Sequence, residues 1–541
     1  MNYQERYDLW LNRAKDENIL NELKNMSEED KNLAFFKDIE FGTAGMRGTI
    51  GAGSNCMNIY NVAKVTKALC DYLNENNKKS VAVSYDSRNM SYEFAKVVAN
   101  ICVNNNIKVY FADKMMPTPF LSYMVRFYGC GAGVMITASH NPKEYNGYKV
   151  YGEDGCQMLE EPSIKIMHYA DDVDPFSIDI SYSDEILLNE MVCLTDNKIL
   201  SSYFEDVKKQ AYKKVNNLKI VYTALNGTGI NTIPDVLESQ GTEIIFNEVQ
   251  CKADKNFTTC EYPNPEKDEV FDTSIKLAKD NDCDLILASD PDADRVGIKI
   301  LHKGEYIKLT GNQVGVLLTD YLFSKKKRGY LVKSIVTTSL AEKVAQKYGG
   351  KTYNVLTGFK YIGEFITNLE KENRQEEYVL GFEESYGYLV GTHVRDKDAT
   401  VASMLICEMA SELKSKGITL MDRLNEIYDE FGLYENKVLS FKFAGAAGNE
   451  KMKKLLLDLR VNPPKNFGEL KVLNIIDYKD GYNGLPKANV ISYDLENNIQ
   501  LLIRPSGTEP LIKVYITLTQ TKELNKENLD KLTETLKDMF A

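Results

Sequence analysis

The stretch Gly131 to Lys149, GAGVMITASHNPKEYNGYK, decides how the rest of the chain is read. Its small and β-branched residues Gly133 to Ile136 have the pattern of a buried strand, which stops at Thr137-Ala138-Ser139-His140-Asn141-Pro142, a cluster of turn formers. A serine hydroxyl is thereby placed at the carboxyl end of a strand. In open α/β sheets ligands collect there, because the loops at those ends converge on a crevice. A turn serine alone carries little weight, since Ser is a common turn residue.

Three other stretches add that weight. Asp290-Pro-Asp292-Ala-Asp294-Arg295 follows the apolar run Leu285 to Ala288, Gly381-Phe-Glu383-Glu384-Ser385-Tyr-Gly387 follows Tyr378 to Leu380, and Arg504-Pro-Ser506-Gly507-Thr508-Glu509-Pro510 follows Leu501 to Ile503. In an extended loop the carboxylates of Asp290, Asp292 and Asp294, two residues apart, project to one side and can share a hard cation. Three such oxygens, with open positions for water, suit Mg2+. An EF-hand is excluded, because loop positions six and twelve hold Arg295 and Leu301 in place of Gly and Glu. A phosphotransferase with an aspartyl nucleophile, and plain surface acidity, stay open for this run.

At 541 residues the chain is too long for one core and predicts about three or four domains. The opening MNYQERYDLWLNRAKDENIL reads as one polar amphipathic helix with no apolar leader core, and no apolar run reaches about 18 residues. Ten cysteines lie without CxxC pairs, which predicts reduced thiols and a cytoplasmic protein with no membrane partner. A net charge of −12 argues against nucleic acid, so cations must be concentrated locally if the substrate is a phosphate.

One order of elements is expected three times: strand, helix, strand, helix, strand. The first unit covers 81–83, 92–105, 107–111, 118–129 and a strand ending at Thr137; the second 218–222, 230–240, 243–246, 270–281 and a strand ending at Ser289; the third 330–335, 340–348, 351–355, 358–369 and a strand ending at Leu380. Ser139, Asp290 and Glu383 each follow the third strand. After residue 436 five strand-like runs, at 438–443, 470–476, 488–493, 499–503 and 511–518, precede a single amphipathic helix at 526–540. The expected architecture is α/β: three similar α/β domains with mixed sheets (1–205, 206–308, 309–433) plus a C-terminal α+β domain (434–541), arranged around one central cleft.

Taken in order, the four loops resemble the phosphoserine, metal, sugar and phosphate loops of the α-D-phosphohexomutase family, the phosphoglucomutases and phosphomannomutases. The resemblance runs from Arg47, in Phe41-Gly-Thr-Ala-Gly45-Met-Arg47-Gly48, to Pro510. It implies that Ser139 carries the transferred phosphoryl group and joins Asp290, Asp292 and Asp294 around Mg2+, with Arg47 facing the phosphoserine and Arg295 beside the metal loop. His140 and Lys149, the latter in a YNGYK segment, then share acid/base and phosphate-orienting work, although a lone histidine is more often structural. Glu383 and Ser385 would read sugar hydroxyls together with Thr357 and Gly358. Lys360, the Arg395-Asp-Lys397-Asp398 run, which by itself also fits a solvated charge cluster, and Arg504, Ser506, Gly507 and Thr508 would hold phosphate.

The implied reaction interconverts glucose 1-phosphate and glucose 6-phosphate, with glucose 1,6-bisphosphate as intermediate and activator and small sugar phosphates as partners of a monomer or dimer. The sugar loop GFEESYG departs from the GEYSGH-like and GEQSGH-like forms, and looks closest to the bacterial phosphoglucomutase type. Mannose or pentose phosphates are the alternative substrates; a metal-dependent phosphohydrolase and a catalytically silent sugar-phosphate binder are the alternatives of other classes.

Overall fold

A computed structural model describes residues 1–41, 45–443, 445–506, 511–520 and 526–540. The first sheet has six strands in the order Gly45–Thr49, Tyr145–Gly152, Ala132–Ile136, Ser80–Tyr85, Lys108–Phe111, Val192–Leu194. The last four run parallel, and the first two form an antiparallel pair added to their edge. Parallel strands covered on both faces need continuous apolar runs, and Ala132–Ile136 is buried at all five positions.

The same plan recurs twice. In the second sheet the parallel strands Glu243–Phe246, Lys219–Thr223 and Leu285–Ser289 continue into the antiparallel Val296–His302 and Glu305–Leu309. In the third, the parallel Lys351–Val355, Tyr330–Ser334 and Tyr378–Glu383 are followed by the antiparallel Gly387–Leu389. Each time a parallel strand turns directly into an antiparallel neighbour, and the turn is short. Each turn also contains one residue other than glycine with positive φ: Ser139 (53°), Ala293 (49°) and Tyr386 (69°). The three turns are the serine, acidic and sugar loops.

The domains carrying these sheets are not independent bodies. One core cluster runs through all three, from Phe120 and Tyr203 through Leu287 to Leu380 and Met404. The fourth sheet is antiparallel throughout, ordered Leu433–Lys442, Leu511–Gln520, Ile499–Pro505, Ile491–Leu495, Leu470–Asp477, Asn466–Phe467. Strand alternation gives it two apolar faces: Leu501 and Ile503 pack under the helices with Leu456, Leu532 and Leu536, while Leu502 and Tyr515 pack on Val336 and Leu356 of the third domain. That second contact holds the strand Ile499–Pro505, and Arg504 with it, on the side of the fourth sheet that docks on the third domain.

Three expectations are corrected. The N-terminal segment is two helices, Tyr3–Arg13 and Glu17–Asn25, because Ala14 leaves the helical region and Asp16 caps a new start through Ile19 N–H. The fourth domain has a second helix, Gly445–Val461. The third-domain strand runs past Leu380 to Glu383, so Glu383 ends the strand rather than following it.

Candidate active site

Ser139 is held from three sides. Its N–H donates to Thr137 Oγ1 at 2.8 Å, and that hydroxyl donates to Asp86 Oδ2 at 2.6 Å. The buried Arg88 guanidinium donates to the carbonyls of Ser139 (2.5 Å) and Pro142 (2.8 Å), and also to Asn141 O. These bonds offset the left-handed backbone of Ser139, a strain of order 1 kcal/mol for a residue with a Cβ. The result is aim: Ser139 Oγ lies 2.9 Å from Asp290 Oδ2 and 3.1 Å from His140 Nδ1. Burial, followed by the charges of Arg295 and Arg47, holds the His140 imidazole well below its usual range, so the ring is neutral at pH 7. Arg47 comes from the edge strand opposite Gly147 and donates to Asn141 Oδ1 at 3.2 Å. A Cβ on Gly147 would stand 2.6 Å from Thr137 O and 2.8 Å from Met46 O, which explains the glycine inside YNGYK.

The acidic loop is a turn and not the extended run expected, since Ala293 N–H donates to Asp290 O at 2.9 Å. The turn still gathers the carboxylates: one oxygen from each of Asp290, Asp292 and Asp294 lies within 4.8 Å of the others, and all three residues are buried. Lys149 Nζ donates to Asp292 Oδ2 at 2.7 Å and lies 3.5 Å from Asp294 Oδ2; Lys397 Nζ lies 3.1 Å from Asp294 Oδ2 and 3.1 Å from Asp396 Oδ1. Arg295 sits beside the loop, with Nη1 3.1 Å from Glu266 Oε1 and Nε 3.8 Å from Asp294 Oδ1.

The electrostatics of this cluster call for a cation. Burial, then the charges of Asp292 and Asp294, push Asp290 well above the usual carboxylate range. Burial works the same way on Asp292, but the Lys149 ammonium outweighs it and holds that carboxyl down. Asp292 Oδ1 and Asp294 Oδ1 are buried without a hydrogen-bond partner among the described residues. Unpaired carboxylate oxygens in a dry site are costly, and a hard divalent cation satisfies them. The donor set fits Mg2+.

The remaining residues fall into two groups. Glu383 Oε1 accepts the N–H of Gly358 at 2.8 Å, so Thr357, Gly358 and Glu383 form one corner, where Thr357 Oγ1 is buried with no partner among the described residues. Ser385 lines a cleft of about 720 Å3 between the third and fourth domains with Glu384, Lys513 and Tyr515. Lys360 Nζ pairs with Glu160 Oε1 at 2.6 Å, across the first and third domains. The Arg504 charge acts against burial at the Tyr361 and Tyr515 phenols, one in the third domain and one in the fourth. Ser506 N–H closes onto Leu511 O at 2.8 Å, while Gly507 and Thr508 lie outside the described residues.

Arg395 is not brought to this site. Its side chain is fully buried, and its guanidinium donates to Glu370 Oε2 (2.6 Å), Thr367 Oγ1 (3.2 Å) and the carbonyls of Thr392 (2.5 Å) and Val394 (3.0 Å). It locks the segment that presents Lys397, with four of its five N–H donors committed within the third domain. Residues that the sequence reading missed include Arg88 and Thr118. Thr118, which donates to Asp292 Oδ2 at 2.7 Å, lay in a Pro-Thr-Pro punctuation between strand and helix that marks a helix start and gives no hint of a partner.

Comparison with known proteins agrees with this geometry. Residues 38–175, 201–302 and 310–431 match the family descriptions of phosphoglucomutase/phosphomannomutase alpha/beta/alpha domains I, II and III. The chain is 36% identical to a phosphoglucomutase of Staphylococcus aureus strain MSSA476 over 531 residues, covering 94% of this chain and 95% of that one. The fold is similar to a phosphoglucomutase/phosphomannomutase family protein from Burkholderia thailandensis (TM-score 0.69, 17% identity, 92% and 97% of the two chains). It is also similar to the Paramecium phosphoglucomutase parafusin in its open form (TM-score 0.66, 18% identity, 93% and 95%). With three consecutive domain matches and a relative this similar from end to end, the chain belongs to the α-D-phosphohexomutase family, of the phosphoglucomutase type.

Proposed function

We propose that the protein is a cytoplasmic phosphoglucomutase that interconverts glucose 1-phosphate and glucose 6-phosphate through a phosphorylated Ser139. The observation that carries this reading is the contact of Ser139 Oγ with Asp290 Oδ2, which puts a nucleophilic hydroxyl at a three-carboxylate cation site. All ten cysteines are free thiols, in keeping with a reducing compartment.

The chain's own residues account for each step. A hexose phosphate is gripped by its non-reacting phosphate at Arg504 and Ser506, with Gly507 and Thr508 next in sequence and Lys360 supplied by the third domain, whereas Lys397, bound to Asp294 and Asp396, serves the transferred phosphoryl group at the cation site. Glu383 and Ser385 accept and donate hydrogen bonds to the sugar hydroxyls. The bond from phosphorus to Ser139 Oγ breaks as a bond from phosphorus to the free sugar hydroxyl forms; the hydroxyl proton leaves to a base, and Oγ recovers a proton. The neutral His140 imidazole, 3.1 Å from Oγ, suits that proton exchange. Lys149 is held protonated, since Asp292 and Asp294 outweigh its burial, and orients the phosphoryl oxygens as a cation or acid. Mg2+, held by Asp290, Asp292 and Asp294, would neutralise phosphoryl charge and polarise the group. Glucose 1,6-bisphosphate then reorients in the cleft and returns its other phosphoryl group to Ser139. Water must be excluded meanwhile, or the phosphoenzyme hydrolyses.

The test is kcat/KM for glucose, mannose, glucosamine, ribose and deoxyribose 1-phosphates, with catalytic bisphosphate and Mg2+. Glucose 1-phosphate should lead the series. Release of inorganic phosphate without isomer would replace the mutase by a phosphohydrolase.

A further inference from the structure

The acidic loop is held by its carbonyls as well as its carboxylates. Pro291 O accepts the N–H (2.8 Å) and the hydroxyl (2.9 Å) of Thr228, from the same domain. Asp292 O accepts Thr118 N–H at 2.9 Å from the first domain, and Ala293 O accepts Ala399 N–H at 3.2 Å from the third. Thr118 and Ala399 open the helices Thr118–Tyr128 and Ala399–Ser415, so both donors are groups a helix leaves unpaired within itself. Three successive carbonyls are therefore tied to three domains.

Thr118 does more than tie the backbone. Its fully buried hydroxyl donates to Asp292 Oδ2 at 2.7 Å, and the same oxygen receives Lys149 Nζ at 2.7 Å. Asp292 Oδ1 has no partner among the described residues. A carboxylate can exchange its two oxygens by turning about its terminal torsion. With Oδ2 doubly occupied, Oδ1 is the oxygen left to face a cation.

We infer that Thr118 is a positioning residue for the divalent cation: through one N–H and one hydroxyl it fixes both the backbone and the coordinating oxygen of Asp292 across the junction of the first two domains. The inference rests on the cation reading of the three aspartates. Without the hydroxyl, Lys149 alone would hold Asp292, and the carboxylate could turn toward the ammonium and away from the cation. Removing a hydrogen-bond partner of a metal ligand typically weakens metal affinity about 10–100-fold.

The experiment is Mn2+ binding followed by electron paramagnetic resonance on the full-length dephosphorylated protein, with thermal unfolding in parallel. Thr118→Val keeps the shape and removes the hydroxyl, Thr118→Ala replaces it should the valine not fold, and Thr118→Ser keeps the hydroxyl. The valine or alanine variant should bind Mn2+ about 10–100-fold more weakly. Thr118→Ser should stay within about threefold of the parent, because its hydroxyl preserves the bond. In turnover assays the Mg2+ concentration for half-maximal rate should rise, with KM for the sugar phosphate unchanged. Parent-like Mn2+ affinity in the valine or alanine variant, or a serine variant as weak as the valine, overturns the positioning role. A parent protein that binds no Mn2+, or an Asp292→Asn variant that binds it equally well, would overturn the cation reading itself.

Discussion

Ser139 Oγ donates a 2.9 Å hydrogen bond to Asp290 Oδ2, a residue 151 positions away on a different sheet. As long as the serine is free, that bond helps close the junction of the two domains. Phosphorylation removes the donor and sets nearly two negative charges against three carboxylates. A divalent cation between them restores attraction, so the phosphorylation of Ser139 and the occupancy of the cation site are thermodynamically linked.

From that linkage, chelation should affect the two forms of the protein unequally. Phosphoenzyme treated with EDTA should lose more in Tm than dephosphoenzyme treated the same way, and should regain it on adding Mg2+. Equal shifts for the two forms would mean that the cation does not bridge to the phosphoserine.

Substitution of Ser139 separates its chemistry from its backbone. Ser139→Ala and Ser139→Gly should both lose turnover by about three orders of magnitude or more, since neither can carry the phosphoryl group. They should differ in stability: φ is 53° at this position, and glycine accepts that conformation without a Cβ penalty. Ser139→Gly should therefore be more stable than Ser139→Ala by about 1 kcal/mol, read by denaturant unfolding.

Arg395 and Arg504 are both arginines in phosphate-like motifs, and Arg395 is committed to partners inside the third domain. Arg395 is enclosed by Glu370, Thr367 and two carbonyls. Arg395→Met should cost about 3 kcal/mol through the abandoned Glu370 and carbonyls, leaving KM for the sugar phosphate near the parent value in protein that folds. Arg504→Met should leave Tm nearly unchanged and raise KM at least about tenfold, the loss of a charge-assisted phosphate contact. The reverse pattern, measured by steady-state kinetics and unfolding, would exchange their assignments.

Local signals explain what the sequence revealed of this molecule and what it concealed. The strand leading to Ser139 was readable because Thr137, Asn141 and Pro142 stop an apolar run, and the acidic loop because Leu285 to Ala288 precede it. Contacts between distant segments left no such trace. Nothing near Arg395 announces Glu370, and Thr118 precedes Asp292 by 174 residues. The helix Gly445–Val461 was overlooked because its first turn, Gly445-Ala-Ala-Gly448, has the glycine content of a loop; its helical character rests on Leu456 and Leu459 reaching the core of the fourth domain. The RPSGTEP loop marks Arg504 as a phosphate candidate, but the strand that carries it is positioned by Leu502 and Tyr515 docking on the third domain, which no local signal announces.

Glu384 carries the last prediction, one of pH. Burial, reinforced by the neighbouring Glu383, pushes its carboxyl from 4.5 up to about 7. The hydroxyls of Ser334 and Thr337 stand only at 3.4 and 3.3 Å, too long to stabilise the anion strongly. The sign follows from the raised value: below about 4.5 the carboxyl is protonated whether the chain is folded or not, and its contribution to stability is complete. Between there and about 7 the unfolded chain ionises while the folded one does not, so that stability is lost as pH rises. Glu384→Gln stays neutral throughout and should escape the loss. Relative to the parent, the variant should gain on the order of 3 kcal/mol between pH 4 and pH 8, seen as Tm curves that diverge across this window. Parallel curves would place Glu384 in a solvated environment with an ordinary carboxyl, and would remove the reason for a protonated side chain beside the sugar loop.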